Sequence, residues 1–333
     1  MLVALVPILT FGLLLSVVTV PFVSLGPGPT YNTLGEVEGK QVVDIEGTKV
    51  YPTSGNLNMT TVAQSDGITM GQALALWMSG SEQLVPRDLV YPPDKSKDEV
   101  DEENTNDFKS SEDAAEYAAL GYLGGYPEAV TVDTVTDPGP SAGKLKDGDA
   151  IDMVNNTPVA NLDEFTAILK NTKPGDQLVV DYRRKGGDIG TETITLGDNP
   201  DRDYGFLGIG VVDAPWAPFT IEFNLANIGG PSAGLMFSLA VIDKLTTGDL
   251  NGGKFIAGTG TIDPEGNVGP IGGITHKMEA AADEGATAFL VPAENCSEAL
   301  TADDDLTLIK VGTLAEAVDG LKAYSAGGEP PGC

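Results

Sequence analysis

The sequence predicts an α+β chain of about two domains, and three observations carry the prediction. At 333 residues the chain is long enough for two ordinary cores, since a domain commonly takes about 100–200 residues. Several stretches have the helical period of about 3.6 residues: Met70 to Met78, Ala114 to Leu120, the run Leu235, Met236, Leu239, Ile242 and Leu245, and Met278 to Glu284, which Gly285 stops. Others read as strands, alternating over Gly55 to Val62 and short and apolar over Ala129 to Val135 and Gln177 to Tyr182.

Taken in order, residues 1–24 carry no charge, and the first ionisable acid is Glu36. About 20 apolar residues suffice to cross a bilayer, and no basic leader or small-residue cleavage site marks a signal peptide. Residues 1–24 are therefore expected to form one transmembrane anchor, with a juxtamembrane segment at 25–49. Pro92 to Ser111 is dense in Asp, Glu, Lys and Ser, a composition that predicts an exposed, mobile segment.

The chemistry gathers around Gly230-Pro231-Ser232-Ala233-Gly234, where a tight turn runs into a helix. A serine there sits among unpaired backbone N–H groups that favour a developing oxyanion, with Gly230, Ser232 and Ala233 as the candidate donors. Such a nucleophile needs a base. The one histidine of the chain, His276, adjoins Lys277 at the start of the second helical pattern. Neighbours on a helix diverge by about 100°, so only one of the two can face Ser232. A lysine serves if burial disfavours its charged form. Spacing alone leaves the choice open.

Gly230 to Gly234, Ala257-Gly258-Thr259-Gly260-Thr261-Ile262, and Pro270-Ile271-Gly272-Gly273 followed by Lys277 resemble, in order and spacing, the proteolytic domain of Lon proteases. Val291 to Asn295 resembles the segment that follows. The resemblance implies Ser232 as nucleophile, Lys277 as base and Thr259 as the residue that orients the lysine. Phe223 to Ile228 lacks the polar, charged lead-in of ATP-dependent Lon, so substrate specificity does not carry over.

A second Gly-Pro-Ser-Ala-Gly, at 139–143, is followed by a turn and a short strand, not a helix, so Ser141 is expected to be a loop residue. The stretch from about Gly121 to Gly197 resembles a PDZ domain, a small β-sandwich or barrel that takes up an extended peptide as an added strand. On that resemblance, the receiving edge is Ala129 to Val135, the carboxylate-binding loop is Leu123, Gly124 and Gly125, and Leu162, Phe165 and Leu169 either line the groove or pack the core. The opening elements resemble membrane-anchored, PDZ-containing Lon-like proteases in which the PDZ domain interrupts the protease fold. The implied layout is anchor 1–24, juxtamembrane 25–49, protease 50–120, PDZ 121–201, protease 202–325 and tail 326–333.

Composition narrows the partners. With 19 basic against 49 acidic residues and a net charge of -30, nucleic acid and anionic membrane surfaces are repelled. No cofactor is implied, and without a Cys-x-x-Cys or a histidine cluster no metal site is expected. Gly252-Gly253-Lys254 continues into Phe255, so the phosphate-binding loop of an ATPase is missing. Cys296 and Cys333 could bridge in an oxidising compartment. The expectation is an ATP-independent, membrane-tethered Ser-Lys endopeptidase with its catalytic domain outside the cytoplasm, acting on unfolded or flexible polypeptides. The alternative is a non-catalytic PDZ scaffold with a degenerate protease domain. Assembly as a homo-oligomer is left open.

Overall fold

The computed structural model describes every residue except 1, 81, 227 and 303. Within the first helix it describes side chains from residue 10 onward. Met1 of the expected anchor and Asn227 of the lead-in to the serine thus lie outside the described residues. The chain divides into two compact units. One comprises residues 1–43, 51–115 and 224–333, and the other residues 44–50 and 116–223.

The first unit is built on a mixed six-stranded sheet in the order Thr307–Val311, Ala288–Pro292, Phe255–Gly258, Asn56–Ser65, Phe22–Asn32, Gln83–Pro86. The strands from Thr307–Val311 to Asn56–Ser65 run parallel, and Phe22–Asn32 is antiparallel to both of its neighbours. Asn56–Ser65 was expected to alternate, yet Leu57, Asn58, Met59 and Thr60 are buried in succession, because helices Gly234–Leu245 and Ile274–Asp283 both pack on it and a strand covered on both faces has no polar side. The helix Gly234–Leu245 is likewise buried nearly all round and not along one stripe. It is the centre of the unit.

Three expectations for this unit are corrected. The N-terminal helix is Leu2–Val17, 16 residues, about 24 Å at 1.5 Å per residue against a hydrocarbon core of about 30 Å. Among the described residues no helix is long and apolar enough to cross a membrane. The chain leaves the helix early because Val18 and Thr19 are tied to the start of helix Met70–Ser79, where the N–H of Met70 donates to the Val18 carbonyl at 2.8 Å. Residues 25–49 are no linker either, since Phe22–Asn32 is an interior strand of the sheet. Finally, the acidic segment Pro92 to Ser111 is mostly helix, Lys97–Leu123. Its start is capped reciprocally by Ser96 and Glu99: the Ser96 hydroxyl accepts from the Glu99 N–H at 3.2 Å, and the Glu99 carboxylate accepts from the Ser96 N–H at 2.7 Å. A sparse buried stripe of Val100, Phe108, Ser111 and Ala115 holds the helix in place.

The second unit carries a sheet in the order Ile189–Thr195, Gln177–Arg183, Ala150–Val154, Glu128–Val135, Ile209–Pro215. Its core contains Val130, Val132, Ile151, Leu178, Ile194 and Phe165, and the last of these comes from the helix Leu162–Leu169. A two-pronged ion pair between Arg184 and the fully buried Asp149 closes one end, at 2.7 and 2.6 Å.

Candidate active site

Ser232 stands in the turn just before helix Gly234–Leu245, and Lys277 in the first turn of helix Ile274–Asp283. The two helices meet because their glycines permit it. A side chain on Gly234 would press against Ile262 at 2.8 Å, and one on Gly273, which opens the lysine helix at φ +67°, would press against Val62 at 2.9 Å. The result brings Lys277 Nζ to 2.8 Å from Ser232 Oγ and 2.9 Å from Thr259 Oγ1. The Thr259 hydroxyl donates to the Ser232 carbonyl at 3.2 Å, and the Gly260 N–H donates to the same oxygen at 3.0 Å. Ser232, Lys277 and Thr259 therefore form one hydrogen-bonded cluster. Thr259 is fully buried and Lys277 only 3% exposed.

Burial lowers the Lys277 pKa to about 8, because a charged amine deprived of water is disfavoured. Among the described residues no carboxylate pairs with it to restore the charged form. His276 points elsewhere. It lines a separate hollow with Glu279, Asp283 and Asp305, and its Nδ1 is buried without a partner among the described residues.

One proposed donor is ruled out. The N–H of Gly230 donates to the Asn104 carbonyl at 2.8 Å, so it is not free for an oxyanion. Pro231 has no N–H, and no acceptor among the described residues takes the N–H of Ser232 or Ala233. Both residues line the cleft at the N-terminal end of a 12-residue helix. The sequence did not reveal the part of helix Lys97–Leu123: Asn104 holds the turn before the serine, and Phe108 lines the cleft while stacking edge-on against Phe237 at 5.7 Å between ring centres. The cleft measures about 630 Å³ and is walled by Met59, Val62, Phe108, Ile228 and Ile271.

The expected peptide groove of the second unit is not where the sequence placed it. Strand Glu128–Val135, which contains the expected receiving edge, is paired on both sides, with Ala150–Val154 and with Ile209–Pro215, so it cannot accept a further strand. Phe165 is 2% exposed within the core. Leu123 ends a helix, and Gly124 and Gly125 form its exposed exit turn at positive φ. The terminal strands of the sheet are Ile189–Thr195 and Ile209–Pro215, and the second of these is the neighbour of Glu128–Val135. Helix Leu162–Leu169 lies against Ile209–Pro215, with the Leu162 N–H donating to the Asp213 carboxylate at 2.8 Å. The loop Tyr204-Gly205-Phe206-Leu207-Gly208 leads into this strand, with Gly208 at φ +79°. Ser141 is fully buried, its hydroxyl donating to the Leu207 carbonyl at 2.6 Å. In the first unit, Cys296 and Cys333 are joined by a disulfide with their Cα atoms 5.3 Å apart.

Comparison with known families and proteins agrees with this division. Residues 100–195 match the PDZ domain, and residues 227–319 match the Lon protease (S16) C-terminal proteolytic domain. The chain is similar to the archaeal Lon protease of Halobacterium salinarum, 33% identical over 102 residues, which is 30% of this chain and 14% of that protein. It is also similar to Lon protease 2 of Bacillus subtilis, 34% identical over 92 residues, 28% of this chain and 16% of that protein. Among solved structures it is similar to the PDZ domain of an SdrC-like protein from Listeria monocytogenes, at 26% identity, with 25% of this chain and 87% of that one covered and a TM-score of 0.24. The chain thus carries a PDZ domain and a Lon-type proteolytic domain, and spans about a seventh of the length of the first curated relatives it matches.

Proposed function

We propose that the chain is an ATP-independent serine endopeptidase that uses Ser232 and Lys277 as a dyad on unfolded or flexible polypeptides outside the cytoplasm. The observation that carries this reading is the 2.8 Å contact between Lys277 Nζ and Ser232 Oγ around a lysine that burial has brought towards neutrality.

In the free-amine form Lys277 accepts the Ser232 proton as Oγ attacks the scissile carbonyl. The N–H groups of Ser232 and Ala233 take the oxyanion. The Lys277 ammonium then gives its proton to the leaving amine, which departs as the C–N bond breaks, and an ester to Ser232 remains. Water, deprotonated by the same amine, attacks the ester and frees the serine. Thr259 Oγ1 accepts one Nζ hydrogen while donating its own to the Ser232 carbonyl, so the lysine lone pair is aimed at Ser232.

Other features support the setting. The disulfide favours an oxidising compartment, and the chain lacks the phosphate-binding loop that would power unfolding. Phe11, Leu13, Leu14 and Val17 are exposed on the N-terminal helix, an uncharged surface suited to attachment at a membrane without crossing it. In the PDZ unit, the terminal strand Ile209–Pro215 is the place for an extended peptide.

The test is incubation of the purified protein with casein in the absence of nucleotide, beside Ser232→Ala. Cleavage by the wild type alone supports the reading. No cleavage, with peptide binding retained, supports the scaffold alternative.

A further inference from the structure

We propose that Asn295 is a positioning residue for this chemistry, its side-chain amide setting the start of the lysine helix. The inference rests on the Ser232–Lys277 reading above. Asn295 is 6% exposed and spends both ends of its amide on one residue of the cleft wall. Its Oδ1 accepts from the Ile271 N–H at 2.9 Å, and its Nδ2 donates to the Ile271 carbonyl at 2.9 Å. Such a two-point clamp grips the two peptide units that flank one Cα and so fixes the orientation of the residue as well as its distance.

The clamped residue is two positions before Gly273, the left-handed cap from which helix Ile274–Asp283 departs. Among the described residues, no side-chain cap bonds to this helix start. Its placement depends on the incoming loop, which is anchored upstream where Val268–Gly269 pairs with Thr261–Ile262 and the Val268 N–H donates to the Gly312 carbonyl at 2.9 Å, and then, nearest the helix, by the Asn295 clamp on Ile271. Lys277 follows one turn later, its N–H donating to the Gly273 carbonyl at 3.2 Å. An error at Ile271 is therefore carried to Nζ.

Asn295 is itself braced. It ends the short turn Ala293–Asn295 that leaves strand Ala288–Pro292, the strand whose Leu290 carbonyl receives the Thr259 N–H. The next residue, Cys296, is bridged to Cys333, and the tail it holds meets the outer strand, where the Lys310 N–H donates to the Pro331 carbonyl at 2.8 Å. One backbone segment thus supports both the threonine and the lysine of the cluster.

The experiment compares wild type, Asn295→Ala and the same-sized Asn295→Asp, which keeps the acceptor for Ile271 N–H and loses the donor. Each is assayed for peptide cleavage and for inactivation by phenylmethylsulfonyl fluoride, a reagent too small to reach along the wall. In that reaction the Ser232 oxygen bonds to sulfur, fluoride leaves and Lys277 takes the proton. A displacement of about 1 Å costs up to about 100-fold in rate. The expected result is a fall in kcat of about tenfold or more, KM within about threefold, and sulfonylation slowed by the same factor. If the alanine variant does not fold, the aspartate variant alone gives the comparison. Unchanged kcat and sulfonylation in a folded variant, or a rise in KM alone, overturns the proposal. A wild type that neither cleaves nor reacts would instead overturn the reading of Ser232.

Discussion

Replacing Lys277 by methionine should silence the protein and shift its stability by an amount that depends on pH. The buried amine titrates at about 8 against an ordinary 10.5, so its charged form is disfavoured in the folded state. At about 1.4 kcal/mol per pH unit, that difference corresponds to about 3 kcal/mol of stability. The sign follows from proton counting. Below pH 8 both folded and unfolded chains hold the proton, and the folded state bears the whole cost of burying it. Between 8 and 10.5 the unfolded chain binds more protons, so wild-type stability rises with pH, and above 10.5 the cost is gone. Methionine has a similar length and no charge, but it forfeits the contacts to Ser232 and Thr259, worth about 1.5–3 kcal/mol each while the amine is charged. At pH 7 the two effects therefore largely offset one another, and the stability of the variant relative to wild type should fall by about 3 kcal/mol by pH 10.5. Urea denaturation of both proteins at several pH values reads the difference directly. A stability difference that does not change with pH would refute the claim that Lys277 is desolvated.

Ser232→Ala should abolish cleavage with the melting temperature unchanged, whereas Ser141→Ala should retain cleavage and lose about 1–3 kcal/mol of stability, because the Leu207 carbonyl is left buried without its donor. Lys277→Arg should be inactive, since arginine keeps its proton at any usable pH, and His276→Ala should keep most activity; a casein assay separates the two. Thr259→Val, which preserves shape in a fully buried site, should lower kcat by about tenfold or more through loss of lysine alignment. Asp213→Ala should weaken binding of an extended peptide, measured by fluorescence anisotropy, because the helix Leu162–Leu169 loses its tie to the terminal strand.

The cluster of Ser232, Lys277 and Thr259 is the most legible part of the chain because short local motifs carry it, although spacing alone leaves the choice between His276 and Lys277 open. A glycine-bounded serine before a helix and a lysine in a helical first turn each occupy a few consecutive residues, and burial of the lysine follows from the two helices meeting. The strand order of the second unit was not legible: whether Glu128–Val135 is an edge depends on Ile209–Pro215, some eighty residues away in sequence. The same limit hid Phe22–Asn32, whose membership of the sheet is decided by pairing with Asn56–Ser65. The first half of helix Lys97–Leu123 is hidden for a different reason. Over residues 97–114 charged side chains crowd the exposed faces and only Val100, Phe108 and Ser111 are buried, so bulk composition outweighs both the stripe and the Ser96-Lys97-Asp98-Glu99 cap, whereas Ala115 to Leu120, buried in succession, lies in the stretch Ala114 to Leu120 that reads as helix. The apolar N-terminus was read by composition alone, and where its helix stops is fixed by bonds to Met70 that no local pattern reveals.

The claim at the centre of this account is that the neutral amine of Lys277 activates Ser232. The rate of Ser232 acylation by a short peptide ester, followed in single turnover from pH 6 to 11, tests it most directly. With a lysine titrating at about 8, the free amine rises from about 10% at pH 7 to about 90% at pH 9, so the rate should climb about ninefold and then level off. A rate that is flat across the range, or one still climbing beyond pH 10 as an ordinary exposed lysine would dictate, would contradict it.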